Sequence, residues 1–181
     1  SLEKASAERQ LEREIRKLSA RPPVDPVLKA NYMARLMQGL ANQIFNLPLD
    51  LFINRRVYHR YPWLRDALFV GLEKEQAENV FPLKDAALQV NVPPTIYRLN
   101  ITMSAAYALF VDDLFVQATA YAAHFAPAGV MPVARRLYKL FLEMEEMPGT
   151  EFALVDVWAK ELGLERWYAW RPEPSDNASF G

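Results

Sequence analysis

The chain has no cysteine among its 181 residues. That absence excludes disulfides, thiolate zinc sites and a cysteine nucleophile. A reducing compartment fits it, and a cytoplasmic location is the expectation. Histidine is nearly absent as well, with only His59 and His124. Neither belongs to a His-Glu-x-x-His zinc signature or its inverted form, and no EF-hand loop occurs. Glycine is scarce, at 6 residues. Phosphate-cradling loops, dinucleotide fingerprints and the Gly-x-Ser-x-Gly elbow all require it, and none of these patterns is present. No cofactor and no catalytic residue is therefore expected. An excess of one charge is also lacking: 21 basic residues face 22 acidic ones. This balance gives no general attraction to nucleic acid or to anionic membranes. Strand-like alternation, a fixed repeat and low-complexity tracts are missing too. The first residues, with Glu3, Lys4, Glu8 and Arg9, lack the apolar stretch of a secretory leader. The chain does not begin with methionine, and a piece of a longer protein, with any catalytic segment elsewhere, is one expectation.

Apolar residues and proline are what the chain has in quantity. Hydrophobic residues make up 51%, which excludes global disorder. The length suits one domain with a sizeable core. Most of the 13 prolines fall between apolar-periodic runs, where they end one helix or open the next. The most informative run is Pro94 to Phe125, which contains neither glycine nor an internal proline. It is apolar nearly all round from Ile101 to Val111 and then meets Asp112 and Asp113. Such a helix must be buried on most sides, and paired carboxylates argue against a lipid-spanning role.

Around it the spacing predicts a peripheral helix over 1–20 and a second helix opened by Asp25-Pro26 and broken or kinked at Asn46-Leu47-Pro48. A third runs from Pro48 to Arg60 with Leu49, Phe52, Ile53 and Val57 inward. A fourth starts at Pro62 with Trp63, Leu64, Ala67, Leu68 and Leu72 inward and stops at Phe81-Pro82. A short helix over 83–90 follows. After the central rod come an amphipathic helix over 132–147 and a last one capped by Thr150, carrying Phe152, Val155, Trp158 and Leu162, closed by Gly163. The expected fold is all-α: an irregular or orthogonal bundle of about seven or eight helices around a long central helix at about 94–125. Residues 1–171 form a single domain in this scheme, and 172–181 a flexible tail.

Five features invite a functional role. At helical spacing, Asp113, Gln117, Ala120 and His124 form a polar stripe on the central helix. Asp113 and His124 are its candidate metal ligands, although a structural role is the commoner use of such groups. A basic-aromatic cluster holds Arg55, Arg56, Tyr58, His59, Arg60, Tyr61, Trp63 and Arg65. Arginine beside rings suits base stacking, but it also suits a helix C-terminus. Pairing with Glu143, Glu145, Glu146 and Glu151, within the chain or between copies, is the favoured account. Residues 83–98 resemble a helix-turn-helix, with Thr95 and Arg98 as readers. The second helix of that pair is longer and more apolar than a recognition helix. Trp167, Tyr168 and Trp170, with Trp158 nearby, concentrate aromatic surface that either anchors a partner or pins the chain end. Finally, Asn46-Leu47-Pro48-Leu49-Asp50-Leu51-Phe52-Ile53 resembles the helix that follows the zinc helix in some metallopeptidases, where an asparagine and an acid line the cleft. The resemblance covers about a dozen residues, without the zinc motif.

These features together indicate a non-catalytic helical module for protein–protein interaction or scaffolding. Its partner is another protein or a second copy, with nucleic acid and membrane disfavoured. The contact residues expected are Arg55, Arg56, Tyr58, His59, Arg60, Trp63, Trp167, Tyr168 and Trp170. The alternatives are a DNA-binding regulator using 83–98 and a degenerate or truncated metal-dependent hydrolase using His59, Asp112, Asp113 or His124.

Overall fold

A computed structural model describes Arg13, Glu14, Arg16, Lys17 and residues 25–116 and 119–164. All the regular structure among them is helical, as the sequence indicates. The helices are α1 (Pro26–Arg60), α2 (Arg65–Lys84), α3 (Ala86–Asn91), α4 (Pro94–Leu114), α5 (Met131–Leu142) and α6 (Thr150–Glu161), with 3-10 turns at Pro62–Leu64 and Tyr121–Ala128. Arg13, Glu14, Arg16 and Lys17, from the run read as a peripheral helix, are helical. The proposed tail and Trp167, Tyr168 and Trp170 lie outside the described residues.

The central rod is α4. Ile101 to Ala108, Phe110 and Val111 are all buried, in contact with α1, α2, α5 and the second 3-10 turn. Helices α5 and α6 close the other side of the core. There Phe141 meets Phe52 edge-on at 5.1 Å and Phe110 at 5.7 Å. Trp158, wholly buried, satisfies its indole by donating Nε1–H to the Leu137 carbonyl at 3.0 Å. Positive φ at Gly149 (+88°) and Gly163 (+69°) lets the chain turn on either side of α6. The Leu164 amide bonds back to the Ala159 carbonyl, as in a Schellman ending.

The structure departs from the expected boundaries at three prolines and one aspartate pair. No break occurs at Pro48, and 26–60 is one helix of 35 residues. An internal proline removes one N–H and crowds the carbonyl four residues back, at about 3 kcal/mol. Leu47, Leu51 and Phe52 around it are buried, each contributing about 1.5–3 kcal/mol, so packing wins. Pro82 likewise lies inside α2, which ends at Lys84. The stop comes from Asp85, whose carboxylate accepts the Ala87 and Leu88 amides and so opens α3 instead. Pro62 begins a 3-10 turn rather than an α-helix. Its corner faces outward, and Trp63 is 74% exposed where an inward side chain was expected. Leu64, Ala67 and Ile53 are exposed too, against the expected inward pattern, and so is Phe152 of the last helix.

The rod also ends at Leu114 rather than near 125. Asp112 supplies the reason: its two oxygens accept the Tyr121 amide at 2.8 Å and the Ala122 amide at 2.9 Å. A capping carboxylate at the end of one helix thus starts the next turn. The amphipathic helix after it is shorter than expected as well, Met131–Leu142 in place of 132–147.

Candidate functional site

The cluster at 55–65 folds into a corner where α1 ends. His59 and Arg60 lie in its last turn, where cations oppose the helix dipole. Arg55 lies over the Phe141 ring at 4.5 Å and the Phe52 ring at 5.2 Å, so its stem belongs to the core edge. Arg56 donates Nε–H to Glu146 Oε1 at 2.7 Å, and Arg55 reaches the other oxygen at 3.9 Å. The Arg56 hydrogen bond, with Arg55 and Arg60 adding their charge, holds the Glu146 carboxyl below the usual carboxylate range. Arg65 turns back to donate to the Tyr58 carbonyl at 2.9 Å and covers the Tyr58 ring at 4.4 Å. Tyr58 is thereby half-buried against Phe115. Of the expected contact residues, Arg55 and Tyr58 are thus engaged inside the fold. Arg56, His59, Arg60 and Trp63 are exposed, with Tyr61 edge-on to Trp63 at 5.5 Å.

The metal candidates are not assembled. Because α4 stops at Leu114, Asp113 and His124 do not share a helical face. Asp113 accepts the Tyr138 hydroxyl at 2.7 Å, which raises that phenol's pKa beyond what burial alone does. His124 lies on the 3-10 turn and lines a cleft with Lys84 and Arg98. Gln117 lies outside the described residues. Among the described residues, no three His, Asp or Glu side chains converge on a point that could hold a metal ion.

The helix-turn-helix comparison also loses a reader. Thr95 is occupied: its amide and hydroxyl donate to the Glu14 carboxylate at 3.2 and 2.7 Å. The helix it opens is the buried rod itself, from Ile101 onward.

A polar cluster that sequence reasoning missed lies between α1, α2 and α4. Tyr107 is wholly buried. Its hydroxyl accepts from Asn54 Nδ2 at 2.7 Å and donates to Glu75 Oε2 at 3.0 Å. Burial raises the Glu75 pKa, the Tyr107 hydrogen bond opposes that, and Asp50 and Glu78 add repulsion. Burial raises Asp50 as well. The Tyr107 phenol is pushed far up by burial and by Glu75, so it stays a hydroxyl. Nearby on α2, Gln76 is wholly buried with neither amide atom hydrogen-bonded among the described residues. Farther along the same interface Gln43 and Asn100 exchange hydrogen bonds, and Gln43 also reaches Ser104. Such contacts tie one helix to another across the interface. One signal was legible: Asp50 and Asn54, four apart, interrupt an apolar stripe. Their distant partners were not. Asp50, the acid of the metallopeptidase comparison, is half-buried and acts on Glu75 and Tyr107 through its charge, whereas Asn46 is exposed.

No family model, curated protein or solved structure matches this chain. Among the described residues, no helix is long and apolar enough to cross a membrane.

Proposed function

We propose that the protein is a non-catalytic helical interaction module, and that its corner at residues 59–65 docks a second copy of the same chain. One observation carries this: the Arg55 and Arg56 guanidiniums share the single carboxylate of Glu146, Arg60 adds its charge, and the same corner exposes Trp63. The corner keeps surplus positive charge next to a large aromatic anchor, a pairing enriched at the energetic centres of interfaces.

The chain itself carries the complement. The loop after α5 holds Glu145 and the exposed Met147. Glu143, at its start, is paired with Lys139 at 3.4 Å, whereas Glu145 has no ion pair among the described residues. Because Arg56 already bonds to Glu146, the basic corner and the acidic loop adjoin on one surface. Adjacent patches of opposite sign can meet their counterparts across a two-fold axis, each corner on the other copy's loop. Trp63 and Tyr61 of both copies would supply about 500 Å² of apolar cover, against about 1,200 Å² for the smallest stable interfaces. Polar contacts must provide the rest, so the association is expected to be moderate and salt-sensitive.

Light scattering against concentration tests it. The mass should rise from monomer towards dimer between about 1 and 100 µM at low salt, and Trp63→Ser should hold it at monomer. A monomer mass throughout, or a dimer indifferent to Trp63→Ser, would contradict the proposal. The DNA-regulator alternative has less support, given the engaged Thr95 and the burial of the helix behind it.

A further inference from the structure

We propose that the cleft between the end of α2, the start of α4 and the 3-10 turn Tyr121–Ala128 binds an organic anion, a carboxylate or phosphate monoester attached to an apolar body. The cleft has a volume of about 640 Å³, within the range of small-molecule sites. Three nitrogen donors reach it from three separate elements: Lys84 from the last turn of α2, Arg98 from the second turn of α4, and His124 from the 3-10 turn. Among the described residues, no carboxylate lines it.

Two acids near these residues in the chain or through a hydrogen bond have partners of their own. Asp85, next to Lys84, caps the Ala87 and Leu88 amides. Glu14 accepts from the amide and hydroxyl of Thr95, the residue after the lining Pro94. Lys84 and Arg98 have no ion pair among the described residues, unlike Arg55, Arg56 and Arg136. A guanidinium and an ammonium at one concave site, without an ion pair among the described residues, favour an oxyanion, which the guanidinium can grip through two parallel N–H bonds.

The walls set the rest of the ligand. Val80, Leu83 and Ile101 form an apolar floor, and Pro127 a stiff side. Burial raises the Tyr97 pKa, so the phenol stays a neutral hydroxyl, and it donates to the Pro82 carbonyl at 3.3 Å. An inorganic ion would leave this floor wet, whereas a ring or short alkyl chain would cover it. The site is separate from the 59–65 corner, so self-association and anion binding can fail independently.

Calorimetric titration with three probes at matched ionic strength tests the proposal: inorganic phosphate, phenyl phosphate and octanoate. Phenyl phosphate or octanoate should bind saturably below about 10 mM, and at least about tenfold tighter than inorganic phosphate. Arg98→Gln and Lys84→Gln should each weaken that binding about tenfold or more. Pro127→Asp, an exposed position that adds a carboxylate, should abolish it while leaving the melting temperature nearly unchanged. Equal affinity for inorganic phosphate would overturn the apolar body. No saturable binding by any probe, or full binding by Arg98→Gln and Lys84→Gln proteins of native melting temperature, would overturn the site.

Discussion

Replacing Tyr107 by phenylalanine removes one oxygen atom from the middle of the fold and little else. The ring keeps its packing, including the stacked contact with Phe110 at 5.8 Å. What is lost is the hydroxyl's double role, accepting from Asn54 and donating to Glu75. A hydrogen bond to a charged group contributes about 1.5–3 kcal/mol when its partner is left dry. Glu75 and Asn54 are only half-buried, and water can replace part of what they lose. The expected cost at neutral pH is therefore about 1–2 kcal/mol, or about 3–6 °C in melting temperature for a chain of this length. The pH dependence makes the test specific. The Tyr107 bond lowers the Glu75 pKa against the pull of burial, so it favours the ionised carboxylate. Once Glu75 is protonated, the same contact is an ordinary neutral bond and contributes less. Urea denaturation of both proteins at about pH 4 and pH 7 should give a difference that grows as pH rises through the Glu75 pKa. A destabilisation equal at both pH values would refute the role assigned to Glu75, and none at either would refute the hydrogen bonds themselves.

Other outcomes follow from the same geometry. Glu75 and Asp50 have folded pKa values raised by burial. Their contribution is fully present below their unfolded values and is lost as pH rises through the folded ones. Glu75→Gln should thus flatten the fall in stability between mildly acidic and neutral pH, as seen in melting temperature against pH. Glu146 is shifted the other way by Arg56. Its contribution is present above the ordinary carboxylate range and lost as pH falls through the depressed value. Glu146→Gln should cost at most about 1 kcal/mol at neutral pH, and less in high salt, because the Arg56 side of the pair is solvent-exposed. The two adjacent aspartates should separate clearly in thermal melts. Asp112→Ala removes the cap on two amides and should cost about 1–2 kcal/mol. Asp113→Ala loses only the exposed contact with Tyr138 and should cost under about 1 kcal/mol.

The all-helical fold was legible because helical spacing of apolar residues is a local signal. So were the start of the rod at Pro94, the burial of all but Leu109 from Ile101 to Val111, and the turns at Gly149 and Gly163. The prolines misled where burial overrode them. Pro48 reads as a boundary in any local window, yet Leu47, Leu51 and Phe52 hold the helix through it. The end of the rod was hidden for the opposite reason. Nothing local stops a helix at Leu114, and the stop is made by Asp112 reaching amides nine and ten residues ahead. The corner at 55–65 was half legible. Its pairing with the acidic loop was expected, and Glu146 meets Arg55 and Arg56. The outward turn of Trp63 followed from a 3-10 corner that periodicity does not encode. The Tyr107 cluster joins residues 32 and 53 positions apart, and no single-sequence pattern links them.

The most direct measurement mixes two charge-reversed proteins in the analytical ultracentrifuge. Arg60→Glu alone places acid against acid across the two-fold contact, and Glu145→Arg alone places base against base, so each should sediment as a monomer. Mixed in equal amounts they should form a dimer, because one half of the contact regains an inverted pair and the other half is native. If the mixture sediments as a monomer while the unmodified protein is a dimer, the corner of one copy does not meet the acidic loop of the other.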